Sequence, residues 1–448
     1  MQIQGSLTIP STKEKRKIHN AWAMYDWANS AYNLVITSTI FPVYYAAITT
    51  IRENDSIVSD RVSFFGFTLK NSALFDYALA AAYLLIALLS PVLSSIADYR
   101  GNKKFFMKLF CYMGALACCG LYFFNSNTLE LGIILFALAA VGYCGSLVFY
   151  NAYLPEIAMM EERDKLSAKG FAYGYIGSVL LQLVCFLFVM KPDWFGIKDP
   201  TFAPRLSFLL VGIWWMGWAQ VTFARLPGGR PAREYNGGNL VANGFRELLK
   251  VWRQVKRMPV LKTYLAAFFF YSMGVQTVML AAALFGSKEL NLATEQLIAT
   301  ILVIQLVAVA GAYLMAKLSE RMGNLRVLLG VIFVWIGICI AAYYTRTAMQ
   351  FYILAAAVGL VMGGIQSLSR STYAKLMPAT EDTASFFSFY DVTEKVAIVI
   401  GMFSFGYIDH LLSMRHSIFA LIVFFAIGAV ILYLAILRAK REGLTLSN

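Results

Sequence analysis

The chain has 448 residues, of which 59% are hydrophobic, 15% aromatic and only 14% charged, and it carries a formal net charge of +13. That composition excludes a soluble domain around one core and describes an integral membrane protein, with apolar segments of the roughly 20 residues that a bilayer requires. The positive charge would by itself admit a nucleic-acid partner, so the basic residues have to be placed before that class is dismissed.

The first twenty residues are polar, with no apolar h-region and no small-residue cleavage site, so the first apolar segment is expected to act as its own insertion signal. Twelve apolar segments follow, at about 26–50, 73–97, 105–124, 130–154, 169–190, 205–224, 261–286, 297–317, 326–345, 350–372, 385–409 and 417–437. With a cytoplasmic N-terminus the inner stretches hold 28 of the 38 Lys and Arg and the outer ones nine, while Lys395 lies inside a segment. This bias sets both termini in the cytoplasm and turns the net charge into a topology signal rather than a nucleic-acid surface. The expected protein is all-α, with twelve transmembrane helices in two six-helix bundles, a multi-pass monomer of the cell membrane whose partners are the lipid bilayer and a solute.

In the first segment Asp26, Asn29, Ser30, Asn33 and Thr37 fall at i, i+3, i+4, i+7 and i+11, one stripe of an α-helix. Asp26 also sits among Trp22, Tyr25 and Trp27, which suits an interfacial aromatic belt as well as a solute contact. The loop after this segment carries a chance-frequency sequon, Asn54-Asp55-Ser56. Past the second segment stands Asp98-Tyr99-Arg100-Gly101-Asn102-Lys103-Lys104, and past the eighth Glu320-Arg321-Met322-Gly323-Asn324-Leu325-Arg326, with Gly101 and Gly323 222 positions apart. An acid, a turn glycine and a basic cluster at the same place in both halves indicate duplicated six-helix units, 1–225 and 261–448. The acid can accept hydrogen bonds at a neighbouring helix N-terminus while the basic residues stay in water, which makes Asp98, Arg100, Gly101, Glu320, Arg321 and Gly323 candidate gating residues.

In the fourth segment Tyr143, Ser146 and Tyr150 align, with Asn151 beside them. Between the halves, 226–260 opens on Leu226-Pro227-Gly228-Gly229-Arg230-Pro231 and Asn236-Gly237-Gly238-Asn239, a flexible joint. It continues as an amphipathic helix, with Val241, Phe245, Leu248, Leu249, Trp252 and Val255 on one face and Arg246, Lys250, Arg253 and Lys256 on the other. Such a helix suits the cytoplasmic leaflet or a site packed against the bundle.

The seventh segment offers Ser272 and Gln276 one turn apart. The tenth aligns Gly359, Gly363, Gln366 and Arg370, where the arginine can clamp a carboxylate, pair with Glu394, or simply obey the positive-inside bias. The eleventh holds Asp391, Glu394 and Lys395 within an apolar run. At roughly 2.5 to 3.5 kcal/mol per charge at helix centre, three lipid-facing charges are not sustainable, so they must face protein or water unless Lys395 snorkels. Asp391 and Lys395 form an i, i+4 pair that leaves Glu394 as the odd carboxylate.

All six cysteines lie in apolar segments without a CxxC pair, so neither a disulfide framework nor a metal or other cofactor is expected. His19, His410 and His416 sit near segment ends, and no HExxH, GxSxG or P-loop pattern occurs in its required context, which argues against an enzyme.

Tyr25-Asp26-Trp27-Ala28-Asn29-Ser30-Ala31-Tyr32, Asn151-Ala152-Tyr153-Leu154-Pro155-Glu156, Gly170-Phe171-Ala172-Tyr173-Gly174-Tyr175-Ile176-Gly177, Ser369-Arg370-Ser371 and Phe386-Phe387-Ser388-Phe389-Tyr390-Asp391 with Lys395 span both halves. In these stretches the chain resembles the vacuole-effluxer group of the major facilitator superfamily. The duplicated turn likewise resembles that superfamily's latch signature, with departures at Ser94, Ala316 and Tyr99. The resemblance implies a two-bundle major facilitator fold with alternating access around a site lined by helices one, four, seven and ten. Fungal relatives are linked to amino-acid export from the vacuole.

The leading expectation is a secondary transporter for a small polar solute such as an amino acid. Asp26, Asn29, Asn33, Tyr150, Asn151, Gln276, Gln366 and Arg370 are the substrate-binding candidates, and Glu394 with Asp391 and Lys395 is the proton-coupling group. The alternative is a transporter-shaped lipid scramblase or membrane sensor, suggested by the aromatic content and the basic surface helix.

Overall fold

The structure, a computed structural model, describes residues 12–53, 56–228 and 240–443. The polar stretch ahead of Thr12, Asn54 and Asp55 of the sequon, and the joint at 229–239 lie outside them. Among the described residues eleven helices are long and apolar enough to cross a membrane. They are α1 (Thr12–Thr49), α2 (Asn71–Arg100), α3 (Lys103–Gly120), α4 (Leu129–Ala152), α5 (Arg163–Met190), α6 (Phe202–Arg225), α7 (Pro259–Leu290), α8 (Thr294–Met322), α9 (Asn324–Tyr344), α10 (Ala348–Leu376) and α12 (Met414–Arg441). A twelfth long helix, α11 (Thr383–Leu411), runs for 29 residues but carries Asp391, Glu394 and Lys395 in its body, which is why it falls short on apolarity.

The first six helices and the last six repeat one packing scheme. In the first set α1 lies on α5 and α6, and α3 on α4 and α6; in the second α7 lies on α11 and α12, and α9 on α12. The sets meet along two pseudo-equivalent seams, α2 on α11 and α5 on α8. Both seams share the end at which α2 finishes, α5 begins, α10 finishes and α11 begins, here the basic end.

Two local features lay beyond the reach of periodicity. Within α1, Tyr32–Thr39 is π-helical. Its wider turn is held by hydroxyls that bond carbonyls five residues back, Ser38 to Asn33 O at 2.9 Å and Thr39 to Leu34 O at 2.7 Å. The loop between α1 and α2 folds as two hairpins, Ile51–Glu53 with Ser56–Ser59 and Arg61–Phe64 with Phe67–Lys70.

The linker helix, Leu240–Lys256, divides its predicted apolar face. Val251 and Val255 are buried, whereas Phe245, Leu249 and Trp252 are exposed; the side chain of Val241 lies outside the described residues.

A central cavity and two polar clusters at the basic end

Between the two sets lies a cavity of about 150 Å³, room for on the order of ten water molecules. Asp26, Ser30 and Asn33 of α1, Asn151 of α4, Ser272 and Gln276 of α7, Gln366 and Arg370 of α10, and Glu394 and Lys395 of α11 all line it. Helices one, four, seven and ten therefore contribute, and so does α11.

Arg370 organises the basic side of the cavity. Its Nη1 stands 3.2 Å from Asp26 Oδ2 and donates to Asn151 Oδ1 at 3.3 Å, while Nε donates to Ser167 Oγ and Nη2 to Ser167 O, each at 2.9 Å. Phe171, Trp22 and Tyr150 present ring faces to the guanidinium at 4.2, 4.8 and 5.5 Å. The buried charge is tolerated because Nε, Nη1 and Nη2 all donate to oxygens and three rings stand close to the guanidinium. The approach of α5 that makes this possible depends on Gly170, where a Cβ would stand 2.5 Å from Asp26 Oδ2 and 2.9 Å from Arg370 Nη2.

The second charged group is on α11. Lys395 Nζ stands 3.0 Å from Glu394 Oε2 and 3.5 Å from Asp391 Oδ1, and Gln276 Nε2 donates to Glu394 Oε1 at 3.1 Å. Gln366 accepts from the Tyr175 hydroxyl at 2.6 Å, and Ser369 bonds the Tyr271 hydroxyl at 2.7 Å. Counting Asp391, three carboxylates face two cations.

Several expected placements are corrected. Asn29 is fully buried and does not line the cavity, and Thr37, expected on the same stripe, is turned away where the π-helical turns interrupt the α-helical period. Tyr150 also stands behind the wall, where its hydroxyl donates to Asp26 Oδ2 at 2.8 Å. Arg370 is bound to Asp26, so of the roles expected for it the pairing with Glu394 is not made. Glu394 is not the odd carboxylate, since it is the closer partner of Lys395, and Asp391 Oδ2 is the oxygen left without a hydrogen-bond partner. Gly359 and Gly363 leave the α10 stripe and pack against α8, where a methyl on either would strike the backbone of Ile304 or Ala308.

The duplicated turns sit at the basic end and differ in how they bond. Gly101 ends α2 at φ +65°, and its N–H returns to the carbonyls of Ala97 and Asp98. Asp98 accepts from the backbone N–H groups of Ala384 at 3.2 Å and Ser385 at 2.7 Å, and from the Ser385 hydroxyl at 2.7 Å, so a carboxylate seals the first turn of α11. Lys103 stands 3.5 Å from Asp98, bonds Thr383 at 2.8 Å and pairs with Glu156.

In the second copy the acid has changed sides. Asp164, in the first turn of α5, accepts from Ser319 at 2.8 Å, Asn324 at 2.7 Å and Lys375 at 2.7 Å, with the Lys375 and Asp164 side chains almost wholly buried. Glu320, the counterpart of Asp98, instead pairs with Lys165 at 3.0 Å. Gly323 joins α8 to α9 at φ +82°, while Arg100 and Arg321 are exposed and take no part in either cluster.

A family model described as vacuole effluxer Atg22 like matches residues 14–443. The chain belongs to that family. Over 422 residues it is 31% identical to YxiO of Bacillus subtilis strain 168, an MFS-type transporter by name, with 94% of this chain and 95% of that protein covered. Autophagy-related protein 22 of Kluyveromyces lactis is 25% identical over 498 residues, covering 99% and 98%. Solved structures give the same fold at low identity. The human organic anion transporter MFSD10 superposes with TM-score 0.70 at 12% identity over 93% of this chain and 99% of that one. FucP in the outward conformation gives 0.68 at 11% over 94% and 98%. The protein is thus an MFS-type transporter and a multi-pass membrane protein of the effluxer family.

Reading the effluxer sequence alone misses Tyr271 and Ser369 in the cavity wall, Ser167 and Tyr175 bonded to Arg370 and Gln366 behind it, and Lys103, Glu156, Asp164 and Lys375 in the clusters at the basic end. Asp164 and Lys375 carry a usable signal, being charges next to apolar segments.

Proposed function

We propose that this transporter moves a small zwitterionic solute, an amino acid or a close analogue, across the cell membrane by alternating access, and that the movement is coupled to a proton. In this reading all twelve long helices span the bilayer, with 1–225 and 261–448 as the two rocking bundles, the 226–260 linker and both termini on the cytoplasmic side.

The observation that carries the reading is a cavity supplied from both sets of helices with ion pairs that a zwitterion can replace. A solute carboxylate competes with Asp26 for Arg370, for which planar bidentate pairing is suited. Its ammonium group is matched by Asp26, once released, or by Glu394. The excess of one carboxylate over the cations gives the proton a place, because a net charge is costly to enclose in a dry occluded state. Each charge that crosses contributes roughly 2.3 kcal/mol per 100 mV of membrane potential. The family resemblance, in which fungal relatives are linked to amino-acid export, supports the same solute class.

The cluster at the basic end supports assignment of this conformation as closed to the cytoplasm. Interaction between the two sets runs from Asp98 and Asp164 up to the Tyr175 to Gln366 bond.

The test is a thermal-shift screen of the purified protein against amino acids, sugars, nucleosides and organic acids at two pH values, followed by counterflow of any hit in proteoliposomes. A bound solute raises apparent stability by mass action. Stabilisation and counterflow by an amino acid, lost in Arg370→Lys, are expected; hits confined to sugars or nucleosides would overturn the zwitterion.

A further inference from the structure

The linker helix bridges the two sets of helices at the basic end. It packs on α2 and on α11, and its Val251 and Val255 are buried. The Trp252 ring stacks on Phe389 of α11 at 5.7 Å, and Lys250 pairs at 3.5 Å with Asp382, the residue before α11. Two residues on, Ala384 begins the N–H groups that Asp98 of α2 holds. One helix thus spans the α2–α11 seam at the point where the first latch closes it.

Its outer side is chemically two-toned. Phe245, Leu249 and Trp252, at i, i+4 and i+7, are 51%, 52% and 43% exposed on one stripe. Arg246, Arg253, Lys256 and Arg257 are exposed around them, and between Leu240 and Arg257 five basic residues stand against the single acid Glu247. Lys256 lies over the Trp252 ring at 5.1 Å, so the aromatic and basic groups share one patch. A short helix with large apolar side chains flanked by cations, attached to the side of a membrane bundle, has the chemistry of an interfacial helix: acyl chains take the apolar stripe and anionic headgroups take the cations.

We infer that the linker helix is a lipid-anchored strap, which binds anionic phospholipid headgroups of the leaflet at the basic end and holds the α2–α11 seam closed. It adds lipid regulation to the transporter whatever the solute. Opening the basic end separates α2 from α11, so the helix must leave one of them. Lipid that fixes it across both stabilises the closed seam.

The experiment uses the full chain in nanodiscs of phosphatidylcholine with or without phosphatidylglycerol. Leu249→Cys carries an environment-sensitive fluorophore, labelled wild type gives the background, and the quencher is a lipid spin-labelled near its headgroup. Quenching that strengthens with phosphatidylglycerol and weakens at high salt is expected. Changing Arg246, Arg253 and Lys256 together to Gln should lower the bound-to-free ratio on the order of 100-fold. No quenching in either lipid would place the patch in water or against a protein partner, and quenching indifferent to phosphatidylglycerol would leave only apolar packing; either result overturns the inference. Spin labels at Arg100→Cys and Glu381→Cys read the seam in the same discs. Phosphatidylglycerol should enrich the short-distance population, and an unchanged distribution would remove the strap's role in closure.

Discussion

Arg370 and Asp26, 344 positions apart in the chain, meet at 3.2 Å and join α10 to α1 in the wall of the cavity. Both are almost wholly buried. Removing one partner of such a pair leaves an uncompensated charge, at a cost of about 3 to 5 kcal/mol. Asp26→Asn is therefore expected to lower the thermal unfolding temperature markedly, and Asp26→Asn with Arg370→Met to recover part of the loss. Additive losses in the double variant would show that the two side chains do not act as a pair.

Glu394 bonds Gln276 and Lys395 in the cavity wall and belongs to the group expected to couple transport to a proton. Glu394→Gln keeps the side chain's size and its acceptor oxygen for Gln276. Flux in proteoliposomes should persist in solute exchange but lose its dependence on an imposed pH gradient, with the size-exclusion profile unchanged. Retained pH dependence would assign coupling to another group.

The two clusters predict different responses to substitution. Asp98 acts chiefly on two backbone N–H groups of α11, with the Ser385 hydroxyl and Lys103 beside them, so exchanging two side chains cannot restore it. Its replacement by Asn should remove about 1 to 2 kcal/mol of charge-assisted bonding and raise the fraction open at the basic end roughly tenfold, read by spin-label distances between α2 and α11. Asp164 acts largely on Lys375. Asp164→Lys and Lys375→Asp should each abolish transport and together restore some of it, whereas failure of the double variant in a protein that still folds would show that Asn324 and Ser319 fix the polarity of the site.

Gly170 and Gly217 offer a paired control. A Cβ at Gly170 collides with Asp26 and Arg370, while one at Gly217 meets nothing within 4 Å. Gly170→Ala is expected to cost about 1 to 3 kcal/mol through overpacking and to reduce flux strongly. Gly217→Ala should be neutral or slightly stabilising in the same thermal-shift and flux assays.

The sequence by itself determined where the helices lie, because a backbone that can find no water must satisfy its own hydrogen bonds, and apolar runs of bilayer length leave few other choices. Periodicity likewise put Asp26, Ser30 and Asn33 on one face, and the cost of burying charge pointed Glu394 and Lys395 away from lipid. Periodicity names a face, however, and never the neighbour opposite it. That Arg370 answers Asp26, that Lys375 answers Asp164 across 211 positions, and that the second latch draws its acid from α5 rather than from its own turn were decided by how the two sets of helices pack. The π-helical turns of α1 belong to the same class. They depend on the hydroxyls of Ser38 and Thr39 and on Gln182 of α5, which bonds Thr39 at 2.8 Å, a contact that exists only once α1 and α5 are together.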